Sequence, residues 1–254
     1  MQFLHTRTHN THQQTLFCFS PPVMLATMII EFGTAIYLCW RYRLTRKTRL
    51  TVAGLICLGV FQLAEYLICE ATGIDGLSWA RIGHIAISLL PPIGISLAME
   101  LAHKRQRIFE TIIYCLCAGF IGFYGFWSGA ISSETCQGNY VIFRGDYPYA
   151  GPIYALYYFS LLAIGVGLSF HYGRQAPAPL KKALYGLAIG YLTFIVPTTI
   201  VYLLDQTLVN AIPSIMCGFA VFLAIMIAGF TVPYGDYPCQ QWALKQSAKK
   251  SATT

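Results

Sequence analysis

Apolar residues run along this chain in long unbroken blocks separated by short polar stretches. Crossing the hydrocarbon core of a bilayer takes about 20 consecutive apolar residues in a helix. Seven blocks approach or exceed that length, at 22–40, 51–69, 79–101, 110–131, 151–172, 183–204 and 211–233. They are continuously apolar, whereas barrel strands are about 10 residues long and alternate in polarity. The pattern predicts an all-α, polytopic membrane protein with seven transmembrane helices. Pro91-Pro92 in the third block and Pro197 in the sixth predict local breaks, because proline brings no N–H and crowds the preceding turn. Residues 1–20 are expected to form a flexible N-terminal extension, 21–234 the bundle, and 235–254 a basic cytoplasmic tail.

Composition agrees with the pattern. Of 254 residues, 56% are hydrophobic and only 11% charged, against about 25% charged in an average soluble domain. This excludes a soluble enzyme, a nucleic-acid-binding domain and a disordered chain. The net charge of +7 is placed unevenly along the chain. Of its 17 Lys and Arg, all but Arg7, Arg81 and Arg144 fall in alternate segments: loops 41–50, 102–109 and 173–182, and the tail. Basic residues gather on the cytoplasmic side, so the N-terminus is expected outside and the C-terminus inside. An odd number of helices agrees with that.

The expected chemistry lies inside the blocks, since ionisable groups in a bilayer are costly and are functional candidates by default. Glu31 in the first block, Glu65 in the second and His84 in the third stand out. Gln62, Glu65 and Cys69 recur at helical spacing and share one face. With the predicted orientation, Glu65 and His84 lie at one depth in the outer half, near Ser214 and Cys217 of the seventh block and Cys18 ahead of the first. Glu65 with His84 reads as a structural pair, a ligand or proton site, or a metal site. A carboxylate, an imidazole and thiolates suit zinc, so Glu65, His84, Cys18 and Cys217 are the candidate metal ligands. Gln62, Glu65, His84, Glu31 and Ser214 are the candidate ligand or proton residues. Tyr154, Tyr157 and Tyr158, with Phe123, Tyr124, Phe126 and Trp127, either line a pocket or anchor the chain at the interface. The loop 132–150 either caps an outward cavity or is an ordinary interfacial loop. Its Cys136 has two candidate partners, Cys69 and Cys18, and the other cysteines read as packing. No nucleophile elbow, His-Glu-x-x-His motif or glycine-rich phosphate loop occurs.

Three segments, Cys18-Phe19-Ser20, Phe61-Gln62-x-x-Glu65 and Ser214-x-x-Cys217, together resemble a family of uncharacterised bacterial seven-helix membrane proteins. Members of that family begin with Cys-Phe-Ser and carry Gln-x-x-Glu in the second helix. The resemblance implies a seven-helix fold and marks Cys18, Gln62, Glu65 and Cys217; it implies no activity. The chain departs from the family in its longer N-terminal extension, and in Tyr66 and Cys69 where the family has Gly-x-x-Trp. Two further stretches, Trp79-Ala80-Arg81 to Leu90-Pro91-Pro92 and Ile212-Pro213-Ser214 to Pro233, resemble the seven-helix sensor modules of bacterial histidine kinases. The expectation is a multi-pass inner-membrane sensing or ligand-binding module with an outward polar cavity. It would meet a cytoplasmic protein partner or anionic lipid at loops 41–50 and 102–109. The alternatives are a metal-dependent membrane hydrolase acting on lipid and a small proton-coupled transporter.

Overall fold

The computed structural model describes residues 21–70, 75–136, 141–206 and 211–235, apart from the side chains of Pro21 and Cys217. The helices are α1 (Pro21–Arg41), α2 (Arg46–Cys69), α3 (Gly76–Ser88), α4 (Leu90–Leu101), α5 (Arg107–Phe126), α6 (Ala150–Gln175), α7 (Ala178–Leu204) and α8 (Ile212–Met226). With α3 and α4 taken as one span, the described residues hold seven helices long and apolar enough to cross a membrane.

Local chemistry sets the boundaries. Thr45 is extended and its hydroxyl accepts the Thr48 N–H, so α2 starts at Arg46, ahead of the apolar block itself. Asp75 caps α3, accepting the Ser78 hydroxyl at 2.8 Å and the Ser78 N–H at 3.0 Å. Those two bonds hold its exposed carboxyl below the usual carboxylate range. The third block is two helices, because Pro91 and Pro92 occupy the first turn of α4, where missing N–H groups cost least. By contrast α7 runs on through Pro197. Past α8, Ile227–Thr231 form one wider π turn, a feature frequent at functional sites.

The loop 132–150 is more ordered than a plain interfacial loop, and it adds a small sheet to the all-α bundle. Strands β1 (Ser133–Cys136) and β2 (Val141–Arg144) pair antiparallel, with Glu134 opposite Phe143 and Cys136 opposite Val141. Alternation turns Val141 and Phe143 inward, where both are buried. A disulfide joins Cys136 to Cys69 at the end of α2, with a Cα–Cα distance of 5.3 Å. Of the two candidate partners of Cys136, Cys69 is the one bonded.

Helix α2 is central and packs on α1, α3, α4, α8 and the hairpin. Nearly all of α4 is buried, and its Gly94 leaves the space that the Tyr191 hydroxyl of α7 occupies. Gly186 and Gly190, one turn apart on α7, admit Phe230 and Leu223 of the last span in the close approach that small residues permit. Helix α5 is peripheral, with Ile108, Ile112 and Leu116 exposed.

The two ends of the bundle differ. One carries the disulfide and the hairpin. The other carries an ion cluster in which Arg46 bonds both oxygens of Glu110, at 2.9 and 3.0 Å, and lies 3.3 Å from Glu100. Arg105 reaches Glu110 at 2.8 Å. This cluster ties α2, α4 and α5 together.

Candidate functional site

On α1 the buried residues Met24, Thr27, Glu31, Ala35 and Leu38 recur every three or four positions and face α2 and α8. The register with α2 is fixed where the Phe32 ring lies on Gly59; a methyl there would meet it at 2.9 Å. That register brings Glu31 level with the turn of α2 that leads to Gln62. Glu31 is 0% exposed, and Gln62 and Glu65 are each 1% exposed. Neither carboxylate oxygen of Glu31 has a hydrogen-bond partner, nor do Oε1 of Glu65 and Nε2 of Gln62. Glu65 is close enough for its charge to act on Glu31.

Ser214, at the start of α8, joins this group to the hairpin. Its hydroxyl accepts the Val141 N–H at 3.1 Å and donates to the Glu65 carboxylate. A chain of hydrogen bonds thus runs from the strand that carries the buried Val141 to a carboxylate inside the bundle. Glu31, Gln62, Glu65 and Ser214 lie on α1, α2 and α8.

His84 is elsewhere. No hydrogen bond or ion pair joins it to Glu65 among the described residues. Depth along a helix follows the rise of 1.5 Å per residue, but facing turns by about 100° per residue. Gly83 is the residue that faces α2, against Phe61 and Ala64. His84 turns instead toward α5, α6 and the hairpin. Its ring stacks on Tyr124 at 5.2 Å, meets Phe143 edge-on at 4.7 Å and lies 6.2 Å from Tyr154. Its Nδ1 bonds the Ala80 carbonyl at 3.0 Å. The imidazole is a packed ring in an aromatic box.

The break between α3 and α4 organises that side. Pro92 has no N–H to offer the carbonyl four residues back, which belongs to Ser88. That carbonyl accepts instead the Tyr157 hydroxyl of α6 at 2.8 Å and the Cys117 thiol of α5 at 3.2 Å. The Ser88 hydroxyl donates to the His84 carbonyl at 2.7 Å and shares a hydrogen bond with the Tyr154 hydroxyl at 3.1 Å. The tyrosines of α6 are therefore core, not interface. Phe126 and Trp127 are exposed at the hairpin end, where the Trp127 N–H donates to Tyr147. Sequence reasoning missed Ser88, Cys117 and the role of Tyr157, although Pro92 four residues after Ser88 was the available signal.

Cys18 and the side chain of Cys217 lie outside the described residues. Among the described residues no three His, Cys, Asp or Glu side chains cluster as metal ligands. The basic loops are partly engaged within the chain: Arg46 and Arg105 hold Glu110, and Lys47 donates to the Gly235 carbonyl at 3.1 Å. Arg41, Arg43, Arg49, Lys104 and Arg107 are exposed at that end.

No protein-family model matches the chain, and no curated protein matches it.

Proposed function

We propose that this chain is a multi-pass protein of a bacterial inner membrane that binds or senses a ligand at Glu31, Gln62, Glu65 and Ser214. The disulfide end faces outward and the basic end inward. Two independent features support that orientation. Disulfides persist in oxidising compartments, and Lys and Arg gather on the cytoplasmic side.

The observation that carries the functional reading is the group of four buried, unpartnered polar atoms on Glu31, Gln62 and Glu65. Leaving one such atom unsatisfied costs about 1–3 kcal/mol, more when it is charged. The α3–α4 joint shows that this fold can satisfy its polar groups. Polar atoms left open together at one place are a site that a ligand would complete. The hairpin covers this site as its outer lid, through Val141, Ser214 and the Cys69–Cys136 tether. A change at Glu65 would reach the hairpin through Ser214. It would reach the basic end through α2, whose first residue is Arg46. There the exposed Arg41, Arg43 and Lys104 would meet a cytoplasmic partner or anionic headgroups. The resemblance to seven-helix sensor modules agrees with this, as an analogy.

Access to the site tests the reading. In a background where every cysteine but Cys69 and Cys136 is serine, Ser214→Cys should react with a membrane-impermeant thiol reagent added from the hairpin side. Ala220→Cys, deeper on α8 against an apolar cavity of ≈ 30 Å³, is the unreactive reference. A folded Ser214→Cys protein that reacts from neither side would contradict a ligand site there.

A further inference from the structure

Helix hydroxyls buried in this bundle are matched to the backbone, with an exception on α2. Ser88, Ser169 and Thr198 each donate to the carbonyl four residues back, at 2.7, 2.8 and 2.7 Å. Thr51 does not. It is 2% exposed, and among the described residues it is the one buried serine or threonine whose hydroxyl has no partner. It lines a cleft bounded by α2, α4, α6, α7 and α8, with Leu58, Leu97, Phe194 and Leu223 in its apolar walls. The lining on α2 runs from Leu50 to Leu58, about 12 Å along the axis at 1.5 Å per residue. The enclosed part is ≈ 30 Å³, and the space is ≈ 500 Å³ when the open part of the cleft is counted. Nearly all of the lining is buried. Leu50 and Gly54, one turn apart on α2, are half-buried, so the cleft opens sideways there.

Thr51 also lines a second, smaller pocket, which continues the cleft toward the basic end. This pocket is polar where the cleft is not, with Lys47, Thr48 and Thr231 around it. Lys47 and Thr51 are four residues apart, on one face of α2 and about 6 Å apart along its axis. Lys47 gives one N–H to the Gly235 carbonyl at 3.1 Å, and an ammonium carries three. Among the described residues the ion pairs at this end belong to Arg46 and Arg105 and leave Lys47 out. The π turn of the last span lies along the join, with Ile227 on the cleft and Thr231 on the pocket. Apolar cleft, unmet hydroxyl and ammonium thus follow one another along α2 toward its charged end.

A phospholipid presents the same order: acyl chain, ester carbonyl, phosphate. We infer that the cleft seats one acyl chain of a phospholipid from the leaflet at the basic end. The Thr51 hydroxyl donates to its ester carbonyl, and the N–H groups left on Lys47 hold its phosphate through charge-assisted bonds. The exposed Arg43 and Arg49 at that end of the chain favour an anionic headgroup. The cleft shares no lining residue with the group of Glu31, Gln62, Glu65 and Ser214. The inference therefore stands apart from the proposed ligand site, and binding makes and breaks no covalent bond.

The test uses the full chain in phosphatidylcholine vesicles doped with phosphatidylglycerol that carries a photoactivatable diazirine in one acyl chain. After illumination, the labelled residues are mapped by peptide mass spectrometry. The exposed Ile112 and Leu116 of α5 report ordinary boundary lipid. Leu97 and Leu223 line the cleft and are 3% and 4% exposed, so a chain must be seated inside to reach them. The inference expects label on Leu97 and Leu223 as well as on α5. Thr51→Val keeps the shape and removes the hydroxyl. It should lower the cleft label about three- to tenfold, the worth of one hydrogen bond within a membrane, and leave the α5 label unchanged. Native protein labelled on α5 alone overturns the inference, even where the variant fails to fold. So does a cleft label that Thr51→Val leaves unchanged. A diazirine fatty acid that labels Leu97 and Leu223 where the phospholipid does not would make the occupant a free acid and overturn it as well.

Discussion

Two polar regions lie inside this bundle, and they are built on opposite terms. At the α3–α4 joint, the Ser88 carbonyl, which Pro92 strips of its helical partner, is met by Tyr157 and Cys117. His84 is boxed by rings, and the Ser88 hydroxyl bonds His84 and Tyr154. Across α2, Glu31, Gln62 and Glu65 are as deeply buried and hold four atoms with no partner. The chain carries both the hydroxyls and the geometry to satisfy buried polar groups, yet leaves these unmet, as it does the Thr51 hydroxyl of α2 and side-chain N–H groups of Trp79 and Arg81 near the start of α3. Buried polarity alone therefore does not mark function here. What sets the candidate site apart is that its unmet atoms include both oxygens of one buried carboxylate and one oxygen of another.

The largest expected effect is on the packed side. Tyr154 has the rings of His84, Phe120, Tyr124, Tyr157 and Tyr158 around it. Tyr154→Ala should cost about 3–5 kcal/mol, measured as a shift in the unfolding equilibrium in mixed detergent micelles. Tyr157→Phe removes one hydroxyl from the joint and leaves the Cys117 thiol on the Ser88 carbonyl. It should cost about 0.6–1.7 kcal/mol, the range of hydrogen bonds between membrane helices. On the open side the sign reverses. Replacing an unpartnered buried polar group by an apolar one of similar shape is neutral or stabilising. Gln62→Leu should leave stability unchanged or raise it by about 1 kcal/mol, while weakening whatever the site binds.

The smallest effect is at the surface, on the shared α3. Asp75 caps its first turn with a carboxyl held below the usual carboxylate range by the Ser78 hydroxyl and N–H. A depressed value means that its contribution is present at neutral pH and is lost as the pH falls through that lowered value. Asp75→Ala at neutral pH should speed amide exchange in the first turn of α3 and leave the rest unchanged. In acid, native protein and variant should converge.

Much of the fold was legible in the sequence, because a bilayer demands long apolar runs and those runs are unambiguous. The third span's break was legible too, in Pro91-Pro92. Facing was not. Glu65 and His84 share a depth in the chain's arithmetic, yet a rotation of one residue hands the α2 contact to Gly83 and turns His84 to Tyr124 and Tyr154. The hairpin was missed because its two strands are four residues each and the disulfide that ties β1 to α2 joins cysteines 67 residues apart in sequence. The basic loops read as free charge because Glu100 and Glu110 look like isolated acids until α2, α4 and α5 come together. Of the candidate site, Glu31, Gln62, Glu65 and Ser214 form one group, while His84 belongs to the packed side.

The most direct measurement sets Gln62→Leu beside Tyr157→Phe in the same detergent and compares their unfolding free energies with the native chain. Gln62→Leu should be as stable as the native protein or more so, and Tyr157→Phe less stable. If Gln62→Leu loses as much as Tyr157→Phe, its amide is a partnered structural group. The distinction between a completed joint and an open site would then be wrong.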